Sequence, residues 1–223
     1  MVDFGETGPR ALKETAGLDT TDLKNFFCSH RHKDHAGGLA RAATFLKRNK
    51  SQLIVVSDEL RQQLCEYTLH DLRRDFCTPR TSLSDFFDIV YPRLRTNQRP
   101  GVRDIFEIQF GDIHLAIFRT KHVDNVISYG LFIDDRVFFS GDTRFDLGLI
   151  CRYAGPSEVM FHDCQLVGPG IVHATLPDLR TLPEEVRKKM YLAHYEDDWR
   201  ECEDLVNEEF AGFARPGDRY IFN

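Results

Sequence analysis

The sequence predicts a layered α/β protein with mixed β-sheets. Strand-like apolar runs alternate with helical patterns in both halves of the chain. Hairpin signals sit in its middle, at Gly111-Asp112 and Asp134-Asp135. No repeat, low-complexity stretch or Ser/Gly linker interrupts the pattern, so one domain over 1–223 is expected.

The elements follow in order. Asn25-Phe26-Phe27-Cys28 is a short apolar strand. Residues 35–49 place Leu39, Ala43 and Leu46 on one helical face. Leu53-Ile54-Val55-Val56 is a buried strand by its β-branched content, and Ser57 caps a helix carrying Leu60, Leu64 and Tyr67. Residues 71–104 hold Phe86-Phe87 and Ile89-Val90-Tyr91 among charges and prolines, and are read as a variable insertion. Segments 105–110 with 113–119, and 126–133 with 136–140, form two hairpins. Residues 158–161 and 190–193 are short buried strands. Thr181-Leu182-Pro183-Glu184 has the form of a capping box. Trp199, Cys202, Leu205, Val206, Phe210 and Phe213 form the stripe of a closing helix, and 219–222 a terminal strand.

Composition narrows the function. With 223 residues, 42% hydrophobic and 29% charged, the chain can bury a core, which argues against disorder. No apolar run approaches the roughly 20 residues of a membrane span. The first residues, Met1-Val2-Asp3-Phe4-Gly5-Glu6, lack the basic and apolar regions of a secretory signal. Six cysteines at 28, 65, 77, 151, 164 and 202 form no CxxC pair. Reduced thiols in a cytoplasmic protein are therefore expected. A net charge of −6 disfavours long nucleic acid as a partner.

The chemistry concentrates in Ser29-His30-Arg31-His32-Lys33-Asp34-His35-Ala36-Gly37-Gly38, between a strand and a helix. A turn that served only solubility would use Lys, Glu or Ser. Three imidazoles and a carboxylate are instead the ligand set of a divalent metal: zinc first, manganese or iron as alternatives. His30 and His32, two apart, point the same way on an extended segment. Asp34 and His35 open the helix and face elsewhere, so the spacing suggests two neighbouring ions. Gly37-Gly38 lets the helix backbone pack closely behind the site.

This HxHxDH stretch resembles the signature of the metallo-β-lactamase superfamily. The resemblance implies a four-layer αββα sandwich with two mixed β-sheets and metals at one edge. It also implies further ligands at downstream strand ends: His122, then Asp142 in Ser140-Gly141-Asp142-Thr143, then His194. By this carry-over His30, His32 and His122 hold one metal, Asp34, His35 and His194 the second, and Asp142 bridges. Where the family begins with one or two strands before its Asp-x-Gly segment, here Asp3-Phe4-Gly5 stands almost first, so the expectation is a fold without those N-terminal edge strands, or a start that is misplaced or trimmed. A partner subunit covering the edge, hence a homodimer, is one explanation.

Among the other histidines, His114 reads as a strand histidine and His70 carries no signal. Asp163, after His162 and before Cys164, suits a carboxylate that orients an imidazole ligand; Cys164 reads as a small buried hydrophobe. The stretch Val172-His173-Ala174-Thr175 resembles the His-x-Thr/Ser element of the superfamily's phosphodiesterase branch, which includes ribonuclease Z. There the histidine acts at the scissile phosphate. His173, Asp34 and Asp163 are accordingly the expected catalytic residues. No long glycine-rich arm lies between Asp142 and His162, which disfavours tRNA processing.

The resemblance thus implies a binuclear hydrolase that cleaves a small phosphodiester, such as a cyclic nucleotide, by attack of a metal-bridging hydroxide. Lys121 and Arg144 are candidate phosphate grips, or else solvated charges. Two other readings use the same shell: a thioester or lactone hydrolase, and a non-catalytic diiron gas or redox sensor.

Overall fold

The computed structural model describes residues 1–46, 50–68, 70, 81–95 and 103–222. Two compact units divide the chain, residues 1–92 and 93–223. Among the described residues, no helix is long and apolar enough to cross a membrane.

The first unit is built on a parallel sheet of β1 (Asn25–Phe27), β2 (Ser51–Ile54) and β3 (Phe87–Val90), in that spatial order. Helices α1 (Gly8–Ala16), α2 (Lys33–Leu46) and α3 (Asp58–Thr68) accompany it. Phe26, Leu53 and Phe87 come from the three strands, Leu39 and Leu46 from α2, and Leu60 and Leu64 from α3; all are buried. The rings of Phe4 and Phe87 lie 5.6 and 5.8 Å from that of Phe26. Ser57 caps α3 as expected, its Oγ accepting the Leu60 N–H at 3.2 Å. Tyr67, expected on the buried stripe, is exposed, and the Arg31 guanidinium lies 3.8 Å from its ring centroid.

Within the stretch read as an insertion, 71–80 and 96–102 lie outside the described residues. Phe87–Val90 belongs to the sheet itself: β3 is its third strand, paired residue for residue with β2. The prolines and charges flanking it hid a four-residue strand. A parallel bridge also joins Val2 to Phe27, so the first residues lie beside β1.

The second unit is one mixed sheet in the order β11-β10-β9-β8-β7-β6-β5-β4. Its strands are β4 (Arg93–Leu94), β5 (Ile105–Phe110), β6 (Ile113–Arg119), β7 (Tyr129–Ile133), β8 (Val137–Phe139), β9 (Val159–Asp163), β10 (Met190–Ala193) and β11 (Gly212–Phe213). Strands β4 to β8 form an antiparallel meander, and β8 to β11 run parallel. The parallel crossovers carry α4 (Leu147–Ala154), α5 (Leu176–Arg180), α6 (Glu184–Arg187) and α7 (Glu203–Glu209). Both expected hairpins form, β5 with β6 and β7 with β8. Since β6 points the same way as β8, the C-terminal ends of β6, β8, β9 and β10 share one edge. That edge receives the segments holding His122, Asp142, Asp163 and His194. Phe118, Phe138, Met160, Met190 and Leu192 fill the core beneath it.

Three local expectations are corrected. The capping box lies at Thr175 and Asp178, opening α5, while Thr181 Oγ1 donates to the Asp178 carbonyl at 2.6 Å. Residues 199–213 form a 3₁₀ turn, α7 and then β11, so Phe213 is a strand residue. Residues 219–222 are not a strand; the Tyr220 ring instead packs 4.8 Å from both Phe161 and Tyr191.

Gly38 shows why α2 needs a bare backbone. A Cβ there would lie 2.5 Å from the Gly5 carbonyl oxygen and 2.7 Å from Phe4. Helix propensity favours alanine by about 1 kcal/mol, but the contact with the fully packed Phe4–Gly5 segment dominates. Gly38→Ala is expected to lower stability by about 1–3 kcal/mol in urea unfolding; an unchanged or raised midpoint would contradict the close packing.

Candidate metal centre

Each unit carries its own set of histidines and carboxylates. In the first, β1 ends at Phe27 and α2 begins at Lys33, which leaves His30 and His32 on the connecting loop and Asp34 and His35 in the first helical turn. Asp3, a residue whose role the sequence reading missed, organises them. Its Oδ1 accepts the Ser29 N–H at 2.7 Å, and its Oδ2 accepts the Ser29 hydroxyl at 2.8 Å. The same Oδ2 lies 2.8 Å from His35 Nδ1. With its proton given to Asp3, Ser29 Oγ accepts from His30 Nδ1 at 3.0 Å. His30 and His35 therefore carry their protons on Nδ1 and turn Nε2 away from these anchors. His30 Nε2 faces His32 Nδ1 at 2.9 Å, and His35 Nε2 faces the exposed Asp34 carboxylate at 3.4 Å. His30 and His32 stand together. His35 joins them more closely than its helical position suggested, its ring centroid 4.1 Å from that of His30.

In the second unit, four ligand atoms, one each from Asp142, Asp163, His173 and His194, lie within 4.8 Å of one another. Asp163 is the anchor. Its buried Oδ2 accepts the Thr143 N–H at 2.9 Å and faces His173 Nδ1 at 2.7 Å; its Oδ1 faces His194 Nδ1 at 3.4 Å. Burial works to raise the Asp163 pKa, but the hydrogen bonds from His173 and His194 hold it below the usual carboxylate value. Burial likewise works to lower the His173 pKa, while its bond to Asp163 raises it above the ordinary imidazole value. His194 sits at φ 57°, a left-handed conformation costly for a non-glycine residue. Its Nε2 lies 3.8 Å from Asp142 Oδ2.

His122 donates from Nδ1 to the Val172 carbonyl at 3.0 Å, and its Nε2 lies 3.6 Å from Asp142 Oδ2. Burial holds its pKa below the ordinary value, which keeps Nε2 a lone-pair donor. The Asp142 backbone is pinned in turn, its carbonyl accepting the hydroxyls of Thr120 and Ser128 at 2.9 and 3.2 Å. Imidazole nitrogens and carboxylate oxygens are the donor set that divalent cations favour, and here second partners steady His30, His35 and His122.

A family model described as anti-Pycsar protein Apyc1 matches residues 1–220. The anti-Pycsar protein Apyc1 of Paenibacillus harenae is 38% identical over 201 residues, 88% of this chain and 78% of the relative. That of Bacillus phage BSP38 is 32% identical, covering 99% of this chain and 86% of its own. The chain belongs to the Apyc1 family.

Solved structures resemble it in fold. The metallo-β-lactamase fold protein YhfI from Bacillus subtilis aligns with a TM-score of 0.65 at 13% identity, over 97% of this chain and 84% of that one. A diphosphatase of the PhnP family gives 0.65 at 15%, over 96% and 76%. The short form of human tRNase Z gives 0.58 at 16%, over 89% and 82%. This Apyc1 family chain therefore has the metallo-β-lactamase fold that the HxHxDH stretch implied.

The remaining candidates take quieter places. His114 is a half-exposed strand residue 3.7 Å from Glu107. His162 is buried, donating from Nδ1 to the Asp163 carbonyl at 2.7 Å, and burial pushes its pKa down. Cys164 is buried and its thiol is pushed up, as suits a small core residue. Lys121 lies 3.1 Å from Asp146 and Arg144 3.2 Å from Asp124, so both candidate phosphate grips are engaged with carboxylates.

Asp163 and His173 make a pair that titration can read. In metal-free protein the His173 resonances should titrate above the ordinary imidazole value. In Asp163→Asn the raising charge is gone and burial remains, so the midpoint should fall below that value. An unchanged midpoint in nuclear magnetic resonance titration would contradict the assigned pairing.

Proposed function

We propose that this chain hydrolyses a small cyclic nucleotide in the cytosol, using two divalent cations. The chain is a metal-dependent hydrolase. The observation that carries the reading is the Asp142–Asp163–His173–His194 cluster in a member of the Apyc1 family. The ligand set follows the resemblance: His30, His32 and His122 for one cation, Asp34, His35 and His194 for the other, Asp142 for both. Zinc suits these donors best, with manganese or iron as alternatives. Bound cations supply two things, a lowered pKa for water and neutralisation of charge on the phosphate oxygens.

The chain's own residues do the rest. Asp3, through Ser29, fixes the tautomer of His30 and by direct contact that of His35. The Val172 carbonyl does the same for His122. Asp163 holds His173 by Nδ1 and raises its pKa above the ordinary imidazole value, which favours the form whose Nε2 presents a proton. As a water oxygen bonds to phosphorus and the P–O bond to the ribose breaks, that proton passes to the departing ribose oxygen, and a nucleoside monophosphate leaves. A thioester would have less need of this acid, because a thiolate departs more readily than an alkoxide. Asp163 and His173 therefore support phosphodiester cleavage.

The test uses the purified chain supplied with zinc or manganese and assayed on 3′,5′-cyclic nucleotides and bis-p-nitrophenyl phosphate. Turnover should vanish with a chelator and return with the metal. His30→Ala and Asp142→Ala should abolish it, and His173→Ala should lower kcat roughly 10²–10⁴-fold. Activity on thioesters or lactones alone would overturn the substrate class. A visible absorption band that responds to oxygen, without turnover, would favour the diiron sensor.

A further inference from the structure

A cleft of about 340 Å³ in the second unit lies between α4 and the strands β5 and β6. Ile105, Phe118 and Leu149 give it an apolar floor. Arg103, Asp146, Arg152 and Tyr153 surround that floor with charge and a phenol. None of the histidines or carboxylates of the metal centre lines it.

Its charges are unevenly matched. Asp146 is the one carboxylate among the described lining residues, and its Oδ2 meets two cations, Arg103 Nη2 at 2.6 Å and Lys121 Nζ at 3.1 Å. Its Oδ1 is taken by the Leu149 N–H at 3.2 Å. Arg103 Nη1 donates to the Arg119 carbonyl at 2.6 Å, which fixes that guanidinium at the cleft. Arg152 is exposed and hydrogen-bonds the buried Tyr153 phenol. Arg95, paired with Glu107, acts on the same phenol. Burial pushes the Tyr153 pKa up, while Arg152, Arg95 and Arg103 pull against that shift. Three guanidiniums thus converge on one hydroxyl.

Holding Asp146 takes one cation. A second on the same oxygen, with two further guanidiniums nearby, is more positive charge than these carboxylates balance, in a chain of net charge −6. A carboxylate ligand would offer two oxygens in one plane. Cations arriving from several sides suit the three oxygens of a phosphoryl group better. That group would fill only the charged rim and leave the apolar floor for an organic body.

We infer that this cleft binds a small organic phosphate, its phosphoryl oxygens on Arg103, Lys121 and Arg152 and its apolar body on Ile105 and Leu149. Binding there does not depend on what is turned over at the metal centre.

The experiment titrates the zinc-loaded chain with phenylphosphonate, whose P–C bond resists hydrolysis, and follows amide and arginine side-chain resonances. Signals of Arg103, Ile105, Leu149 and Tyr153 should move together on one saturating curve. Arg152→Gln should weaken that curve roughly ten- to hundredfold, with the metal-edge histidines keeping their wild-type shifts. Arg103→Gln should do the same, and Arg152→Gln decides alone if removing Arg103 from Asp146 unfolds the chain. Inorganic phosphate should bind more weakly than phenylphosphonate because it leaves the floor empty, and benzenesulfonate more weakly because it carries one charge. Shifts confined to the metal-edge histidines, or an affinity unmoved by Arg152→Gln, would overturn the site. Benzenesulfonate binding as tightly as phenylphosphonate would overturn phosphate as its ligand, and inorganic phosphate doing so would overturn the organic body.

Discussion

A buried carboxylate clasping two imidazoles is the interaction on which the second unit's chemistry depends. Asp163 is nearly inaccessible and would resist ionisation in an apolar core. It is sustained by the Thr143 N–H and by the ring nitrogens of His173 and His194. Its own backbone N–H donates to Ser140 Oγ at 2.8 Å, which ties the end of β9 to the segment following β8. One charge thereby sets the tautomer of two histidines, with Nδ1 inward and Nε2 outward. The first unit repeats the device with Asp3, which reaches His35 directly and His30 through Ser29. Carboxylate-backed imidazoles of this kind are better ligands and better proton carriers than imidazoles facing water.

Sheet topology does the positioning. Parallel pairing of β8, β9 and β10 brings three strand ends to one edge, and the antiparallel turn through β7 returns β6 to the same direction. Residues distant in sequence, from 122 to 194, meet there, and the irregular segment after β9 adds His173 and the Val172 carbonyl. Strand ends at the carboxyl edge of such a sheet are where open α/β proteins place their ligands. A net charge of −6 does not stand against the proposed phosphate substrate, because the relevant charge is local.

Much of this was legible in the sequence because its signals are local. His30, His32, Asp34 and His35 fall within six positions, and the hairpins announce themselves by alternation around Gly111 and Asp134. His122, Asp142 and His194 were singled out through the resemblance, each where an apolar strand ends. What stayed hidden depends on contacts across the chain. Asp3 lies far in sequence from the histidines it orients, with only the Asp3-Phe4-Gly5 segment as a hint. Helix α1 contributes one buried side chain, Leu12, too little apolar pattern to read. Helix α4 begins at a cap, Asp146, whose Oδ1 accepts the Leu149 N–H at 3.2 Å and whose Oδ2 is held by Arg103 and Lys121. Residues 219–222 alternate like a strand, yet Tyr220 packs its ring on Phe161 and Tyr191 and donates its hydroxyl to Asp218.

The most direct measurement is a crystal structure of the chain grown with zinc or manganese, with anomalous scattering collected at the metal edge. The account predicts two peaks, one ligated by His30, His32 and His122, the other by Asp34, His35 and His194, with Asp142 touching both. A single peak, or peaks away from Asp142, would contradict it.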